Sequence, residues 1–265
     1  MNSDQPQGHS KKSSGSYDLS DTTVVVTGGN AGIGAALAQG VGRAGAAVAI
    51  WARSDDRNQA TVASLRAEGI EAWSVCCDIA AEADVEHAME ATLQRFGRVD
   101  SLFANAGVAG FAPYVETDLA DWQRVLRTNL DGSFLTTRAA ARHMVERGSG
   151  SIVVVSSMVS RYGAARQAAY AVTKSGLVGL GRTLAVELAR HGIRVNILVP
   201  GWTITAMNES LRADPKFMKA STARIPVRRW ATDEDYLDIA PFLAHPGLTY
   251  HTGNEVVVDG GYSVF

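Results

Sequence analysis

The alternation of two hydrophobic patterns constrains this chain more than any other feature. Seven short runs rich in β-branched residues, at 24–27, 47–51, 72–76, 101–104, 152–156, 194–199 and 255–258, are nearly continuous in apolar character. Strands buried on both faces read this way, because neither face has to meet water. Between them lie 33–44, 55–67, 82–96, 122–147, 168–191 and 233–244, longer stretches at helical period. Strand–helix–strand alternation puts a helix in each crossover, which makes the strands parallel and covers both faces of the sheet. The expected fold is α/β: one doubly wound sheet of seven parallel strands, in a single domain over residues 19–265. No Pro-, Gly- or Ser-rich linker divides that span.

Two segments depart from the rhythm. Residues 1–18 are rich in Ser, Gln, Gly and Lys and are expected to form a flexible tail, docked near Tyr17 and Leu19. Residues 202–231 hold two prolines, many charges and no clean periodicity. A long aperiodic stretch in a compact domain is expected to be a substrate-binding lid, less ordered than the sheet; a surface excursion of short helices is the alternative.

Composition narrows the function classes. Hydrophobic residues make up 46% and charged residues 20%, enough apolar surface to offset chain entropy. Lys and Arg number 25 against 27 Asp and Glu, a net charge of −2. No positive excess is available for a nucleic-acid backbone or an anionic membrane. No apolar run of about 18 residues predicts a membrane-spanning helix. The polar N-terminus lacks the secretory pattern. Cys76 and Cys77 are adjacent, which is no disulfide framework, so a cytoplasmic setting is expected. Both are expected to be small buried hydrophobes, one facing the core and the other the opposite side. The six histidines are scattered and there is no Cys-x-x-Cys, so no metal is expected.

The first strand runs into Thr27-Gly28-Gly29-Asn30-Ala31-Gly32-Ile33-Gly34, and a helix follows. Glycine lets the backbone turn sharply and approach a ligand closely. The helix N-terminus offers unpaired N–H groups and a positive dipole end, which suit a pyrophosphate. A glycine-rich turn without a ligand is the plainer alternative. A second glycine pattern, Gly40-x-Gly42-x-x-Gly45, ends a helix instead of opening one, and Gly45 reads as a C-terminal stop.

The spacing Thr-Gly-x-x-x-Gly-x-Gly resembles the short-chain dehydrogenase/reductase family and not the longer Rossmann dehydrogenases. The resemblance covers about residues 19–265, and further motifs follow in family order. Asp78 and Ile79 close the third strand. Ala104-Asn105-Ala106-Gly107 resembles the family's Asn-Asn-Ala-Gly, with Ala104 in place of the first Asn. Asn129, Ser157, Tyr170-x-x-x-Lys174, Pro200-Gly201, Thr252-Gly253 and Val258-Asp259-Gly260-Gly261 complete the set.

The resemblance implies a Rossmann-like fold and hydride transfer at the nicotinamide C4 from the pro-S side. It implies cofactor contacts at Thr27, Gly28, Asn30, Gly32, Ile33, Gly34, Asp78 (to the adenine), Ile79, Asn105, Ala106, Gly107, Tyr170, Lys174, Pro200 and Gly201. Thr203 and Thr205 stand where family members contact the nicotinamide amide and a cofactor phosphate. Asn129 would hold a water beside the lysine. Trp202 and Met207 are candidates for the substrate pocket. Arg224-Ile225-Pro226 and Arg228-Arg229-Trp230 resemble segments of sugar- and polyol-acting members, and also of oxoacyl reductases. A homotetramer is implied, with helices 122–147 and 168–191 pairing and Gly176, Gly179 and Gly181 allowing close approach.

The residues point to the same chemistry. Tyr170 and Lys174 are four apart on one helical face. A phenol near pKa 10 is a poor base at neutral pH, and a nearby ammonium lowers it, so titration below 10 is expected. Such a pair can protonate a developing alkoxide or deprotonate an alcohol. A half-buried Tyr packed beside a snorkelling Lys is the alternative. Ser157 lies at the carboxyl end of a strand, where open α/β sheets bind ligands. Ser156 could instead be the turn cap of the pair, and the family's offset from the tyrosine selects Ser157 for the substrate oxygen.

Cofactor choice is read from the second strand, which ends Ala52-Arg53-Ser54. No acid stands at Ala52 to bind the ribose hydroxyls, and Arg53 can grip a 2′-phosphate, unless it simply faces solvent. NADP is expected over NAD. The leading reading is an NADP(H)-dependent oxidoreductase interconverting a carbonyl and a secondary alcohol, with Tyr170 as acid/base. Its small-molecule substrate is a sugar or polyol, an oxoacyl compound or another ketone. A non-catalytic dinucleotide sensor on the same fold is the alternative, and it would not need Ser157, Tyr170 and Lys174 together.

Overall fold

A computed structural model describes residues 17–265. The strands are β1 (Thr23–Thr27), β2 (Ala47–Ala52), β3 (Ala72–Cys76), β4 (Ser101–Ala104), β5 (Gly150–Val155), β6 (Ile193–Pro200) and β7 (Glu255–Val258). All seven pair in parallel in the order β3-β2-β1-β4-β5-β6-β7. The chain winds outward from β1 to β3, returns to β4 and winds the other way. That reversal, between β1 and β4, opens a crevice at the carboxyl ends of the strands.

The strand pattern explains the two-layered core. In β1, Val24 and Val26 face one layer and Val25 the other; in β5, Val153 and Val155 oppose Ile152 and Val154. Successive side chains of a strand point to opposite faces, so continuous apolar runs feed both layers. One layer is closed by α1 (Gly32–Arg43), α2 (Asp55–Ala67) and α9 (Ile239–Ala244), the other by α3 (Glu82–Phe96), α5 (Gly132–Arg147) and α6 (Ala168–Leu188). Leu37 and Val41 on α1, and Leu177 and Leu188 on α6, are buried at helical spacing.

Three stretches differ from expectation. The helix expected over 122–147 begins earlier, as α4 (Leu119–Leu126), because Asp118 caps it by accepting from the Asp121 backbone N–H at 2.6 Å. A single π turn, Arg127–Asp131, joins α4 to α5 and carries Asn129. The stretch expected as one helix over 233–244 divides into a short 3-10 turn, Asp233–Tyr236, and α9. Residues 202–231 are built of short helices, α7 (Glu209–Arg212) and α8 (Pro215–Arg224). The start of α8 was readable: Asp214 accepts from Lys216 N at 2.9 Å and Pro215 takes the first turn, where its missing N–H costs nothing. Trp202 and Trp230 stack at 4.9 Å, with the Phe217 ring edge-on to Trp202 at 5.4 Å, and tie the segment to the strand end.

Two smaller expectations are corrected. Cys77 is buried, but Cys76 is exposed, with its thiol 3.2 Å from the Arg53 carbonyl oxygen. Of the three glycines expected to admit a neighbouring helix, Gly176 faces Leu130 and Gly181 faces Ile197 within the chain; Gly179 opens outward. The expected tail falls outside the described residues up to position 16. Leu19 is buried, and the Tyr17 ring tilts on Phe242 at 5.5 Å.

Candidate active site

The crevice at the carboxyl ends of the strands is a cleft of about 750 Å³. One end is the turn between β1 and α1. Gly28 there has φ +64°, a left-handed conformation that side chains rarely adopt. A Cβ on Gly34 would collide with the Gly28 carbonyl and the Asn105 side chain. The turn is therefore closed tightly over the ends of β1 and β4. Ala31 adopts extended backbone at the start of α1 with no side-chain cap. The first N–H groups of α1 thus have no capping side chain of that residue to satisfy them, and they open where Asn30, Gly32, Ile33 and Gly34 line the cleft.

The loop is braced from three sides. Thr27 is fully buried, and its hydroxyl accepts from the Asn105 and Ala106 backbone N–H groups at 2.9 and 3.0 Å. The Asn105 side chain donates to the Thr27 carbonyl at 2.9 Å. Thr27 therefore does not line the cleft, which corrects its expected cofactor contact: its oxygen is spent joining β1 to β4. Asn30 donates to Asn58 at 2.7 Å, and Asn58, itself buried, donates to the Ala52 carbonyl at 2.8 Å. Thr205 presses against Gly32 from the loop after β6.

At the β2 end, Ala52, Arg53 and Ser54 line the cleft, and Asp78 and Ile79 face them from the end of β3. Ser54 occupies the N-cap position of α2 but makes no side-chain cap bond, so its hydroxyl is not committed to the helix. Arg57, one helical turn beyond Arg53, also lines this end. The sequence reading missed it, although the four-residue spacing at a helix start was visible. This end fits a phosphorylated dinucleotide: two guanidinium groups, an uncommitted hydroxyl and a helix N-terminus meet with no acid on the terminal residue of β2.

The other end carries the titratable pair. Tyr170 and Lys174 ride on the first turns of α6, against the end of β5. Lys174 is 4% exposed, and its ammonium donates to the Val155 carbonyl at 2.9 Å, with the nitrogen 5.5 Å from the Tyr170 ring centroid. Ser156 donates to the Lys174 carbonyl at 2.7 Å and clamps the helix to the strand. The turn cap is Ser157, whose hydroxyl accepts from the Val159 N–H at 3.4 Å while lining the cleft, which corrects the alternative of Ser156 as the cap. Burial pushes the Tyr170 phenol up to about 12, with a hydrogen bond to Ser157 pulling the other way. Burial pushes Lys174 down to about 8. The expectation of a phenol held below 10 is corrected. Desolvation outweighs the ammonium, which is turned to a strand carbonyl.

Asn129 is fully buried in the π turn and does not line the cleft. Its amide donates to the Val108 carbonyl (2.9 Å) and Thr173 (3.1 Å), and its oxygen accepts from the Val108 N–H at 2.8 Å. Its donors are used, and one lone pair of its oxygen remains near Gly107, beside Lys174. Gly107, Pro200, Gly201 and Thr203 line the middle of the cleft. The Thr203 hydroxyl is engaged by Tyr236 at 2.6 Å, so its remaining capacity toward a ligand is that of its backbone. Trp202 and Met207 line the cleft as expected, joined by Phe111, Met158, Gln167 and Leu211. Arg224 and Arg229 do not reach it: the first lies over the Tyr262 ring and the second pairs with Asp235 at 2.7 Å.

Known proteins resemble the chain over almost its full length. The profile of the family described as enoyl-(acyl carrier protein) reductase, of the short-chain alcohol dehydrogenase type, matches residues 28–263. Gluconate 5-dehydrogenase of Gluconobacter oxydans is 34% identical over 94% of this chain and 97% of its own length. A 3-oxoacyl-[acyl-carrier-protein] reductase of Synechocystis is 35% identical over 93% and 99%. Among solved structures, a gluconate 5-dehydrogenase from Burkholderia cenocepacia in complex with NADP and tartrate superposes with TM-score 0.90 at 34% identity, covering 94% of this chain and 98% of that one. A family profile matching residues 28–263, relatives 34% and 35% identical over nearly the whole chain, and a matching doubly wound fold make this chain an oxidoreductase of the short-chain dehydrogenase/reductase family, which acts on CH–OH groups.

Proposed function

We propose that the protein interconverts a carbonyl and a secondary alcohol with NADP(H), and that Tyr170 is its acid/base. The observation that carries this reading is the shared cleft. Its glycine-rich end suits a pyrophosphate, and its far end holds Tyr170, Ser157 and Lys174 within one strand–helix corner. When bound, the nicotinamide supplies or accepts the hydride. The chain's own residues handle the proton. In reduction, negative charge grows on the carbonyl oxygen, and the Tyr170 phenol donates a proton to it. A phenol raised to about 12 stays protonated at neutral pH, the state an acid needs. Ser157 holds the same oxygen, and Lys174 carries the positive charge beside the nicotinamide ribose. Asn129 keeps an acceptor beside Lys174 for a water returning the proton from solvent.

Glycine geometry and the helix start of α1 support pyrophosphate binding. Arg53, Ser54 and Arg57 support a 2′-phosphate, and the NADP in the solved relative is consistent with that. Exposed apolar side chains on α4 to α6 (Leu119, Phe134, Val172) and near the C-terminus (Tyr250, Val264, Phe265) support self-association, which we read as a homotetramer. Among the described residues, no helix is long and apolar enough to cross a membrane.

A screen of ketones and alcohols with both cofactors, read at the reduced-nicotinamide absorbance, tests the activity. Calorimetry separates the cofactors. A charge-assisted phosphate contact predicts NADPH bound about ten- to a hundred-fold more tightly than NADH. Ala52→Asp together with Arg53→Ile should reverse the order. Equal or tighter NADH binding by the unmodified protein would defeat the reading of the β2 end.

A further inference from the structure

We infer that the substrate is an uncharged, largely apolar cyclic ketone or its alcohol, carrying a second neutral oxygen that Gln167 recognises. The inference rests on the oxidoreductase reading above and concerns the substrate half of the same cleft.

The charged residues lining the cleft are Arg53, Arg57, Asp78 and Lys174. The first three stand at the ends of β2 and β3, at the adenosine end. Lys174 is committed to the Val155 carbonyl and the cofactor side. Beyond Tyr170 the walls are Phe111, Met158, Val159, Trp202, Met207 and Leu211. The lid carries many charges, yet Glu209, Arg212, Lys216 and Lys219 are not among the lining residues. A carboxylate placed here would lose its hydration and meet no cation, an arrangement folded proteins avoid. A polyol would fare little better. Asn208 spends its amide on the Thr203 carbonyl at 2.6 Å and its oxygen on the Thr205 N–H at 3.3 Å. Trp202 is held in place by its stack on Trp230, so this wall is rigid as well as apolar.

Two polar groups are left over among the described residues: the Trp202 indole N–H, buried without a hydrogen-bond partner, and the Gln167 amide. Gln167 precedes α6, three residues before Tyr170, and is 8% exposed. It lines the cleft, and its side-chain amide makes no hydrogen bond among the described residues. Its polar atoms open onto the cleft and are met by solvent, so a ligand that displaces that water can take over its hydrogen bonds. The amide offers a neutral donor and a neutral acceptor on the cleft wall. A ring with a second carbonyl or hydroxyl across from the reacting carbon satisfies it, while the ring itself meets Phe111, Trp202 and Leu211.

The test uses the full chain with NADPH and three probes: cyclohexane-1,4-dione, cyclohexanone and 5-keto-D-gluconate. The expected kcat/KM for the dione exceeds that for the sugar acid by at least about 100-fold. Gln167→Leu should raise the KM for the dione at least about ten-fold more than the KM for cyclohexanone, which has no second oxygen to lose. Gln167→Met serves the same purpose should the leucine variant fold poorly. Calorimetry gives a readout apart from turnover: with NADP present, the Tyr170→Phe protein should bind the dione and not gluconate. Preference for the sugar acid, or an equal effect of Gln167→Leu on both ketones, overturns the inference and leaves the oxidoreductase reading standing. No turnover of any probe by a protein that binds NADPH overturns that reading, and the inference with it.

Discussion

Lys174 sits 4% exposed in α6 with its ammonium on a single strand carbonyl, and burial holds its pKa near 8. Two consequences follow, with opposite signs for stability and function. The unfolded chain keeps the proton up to about 10.4. Between about 8 and 10 the unfolded state therefore binds more protons than the folded one, so stability rises with pH over that window. At neutral pH the buried charge costs about 3 kcal/mol. The lost bond to Val155 returns about 1 kcal/mol of that in a Lys174→Met variant. The variant is expected to be about 2 kcal/mol more stable than the parent at pH 7, with the gap closing by pH 10, while activity is lost. Urea denaturation at the two pH values checks this; a variant less stable at pH 7 would show that the charge is welcome where it lies. The function runs the other way. In the free enzyme, kcat/KM for reduction should fall above pH about 8, as Lys174 loses its charge, with Tyr170 still protonated. A limb that survives Lys174→Arg unchanged would belong to another group.

The junction of β6, α9 and β7 turns on one side chain. Arg194 is fully buried, with Nη1 donating to the Phe242, Leu243 and His245 carbonyls and Nε to the His251 carbonyl, while Nη2 has no partner among the described residues. The Phe242, Leu243 and His245 carbonyls lie at the C-terminal end of α9, where a cation is favoured. Burial still pulls its pKa down to about 10, so the guanidinium stays charged at neutral pH. Arg194→Met is expected to destabilise the fold by about 3 kcal/mol or more, since it breaks four hydrogen bonds at once and strands the Phe242 carbonyl; a loss under about 1 kcal/mol by denaturant titration would contradict it. At this scale much was legible in the sequence. Runs such as Val24-Val25-Val26 feed two layers, which identifies parallel strands without any knowledge of the order in which they pair. The cluster of Ser157, Tyr170 and Lys174 was legible because strand ends and one helical turn determine where they meet. The π turn at Asn129 was not, because local spacing does not reveal an extra residue per turn. Desolvation of the Tyr170 phenol was not legible either. Spacing tells which groups are neighbours, whereas desolvation depends on everything packed around them.

Across the whole molecule, apolar side chains are exposed at several places: Phe134, Val172 and Val186 on α5 and α6, and Tyr250, Val264 and Phe265 in the last sixteen residues. Such exposed apolar groups support the proposed homotetramer. Sedimentation should give a species of four times the 28.1 kDa chain, and a monomer at micromolar concentration would refute this. The lid spans the same scale, linking the end of β6 to the glycine-rich turn through Thr205. Limited proteolysis should cut first within residues 203–222 or before Tyr17, and NADPH should slow the lid cut; first cleavage inside α6 would contradict the architecture. In the proposed mechanism these features serve one proton transfer, at the partly buried Tyr170 phenol lining the cleft. The most direct test is the turnover of Tyr170→Phe, which keeps the ring's packing and removes only the hydroxyl. On whichever ketone the screen identifies, turnover should fall at least about 100-fold with NADPH affinity little changed. Near-normal turnover would remove Tyr170 as the acid/base and contradict the account.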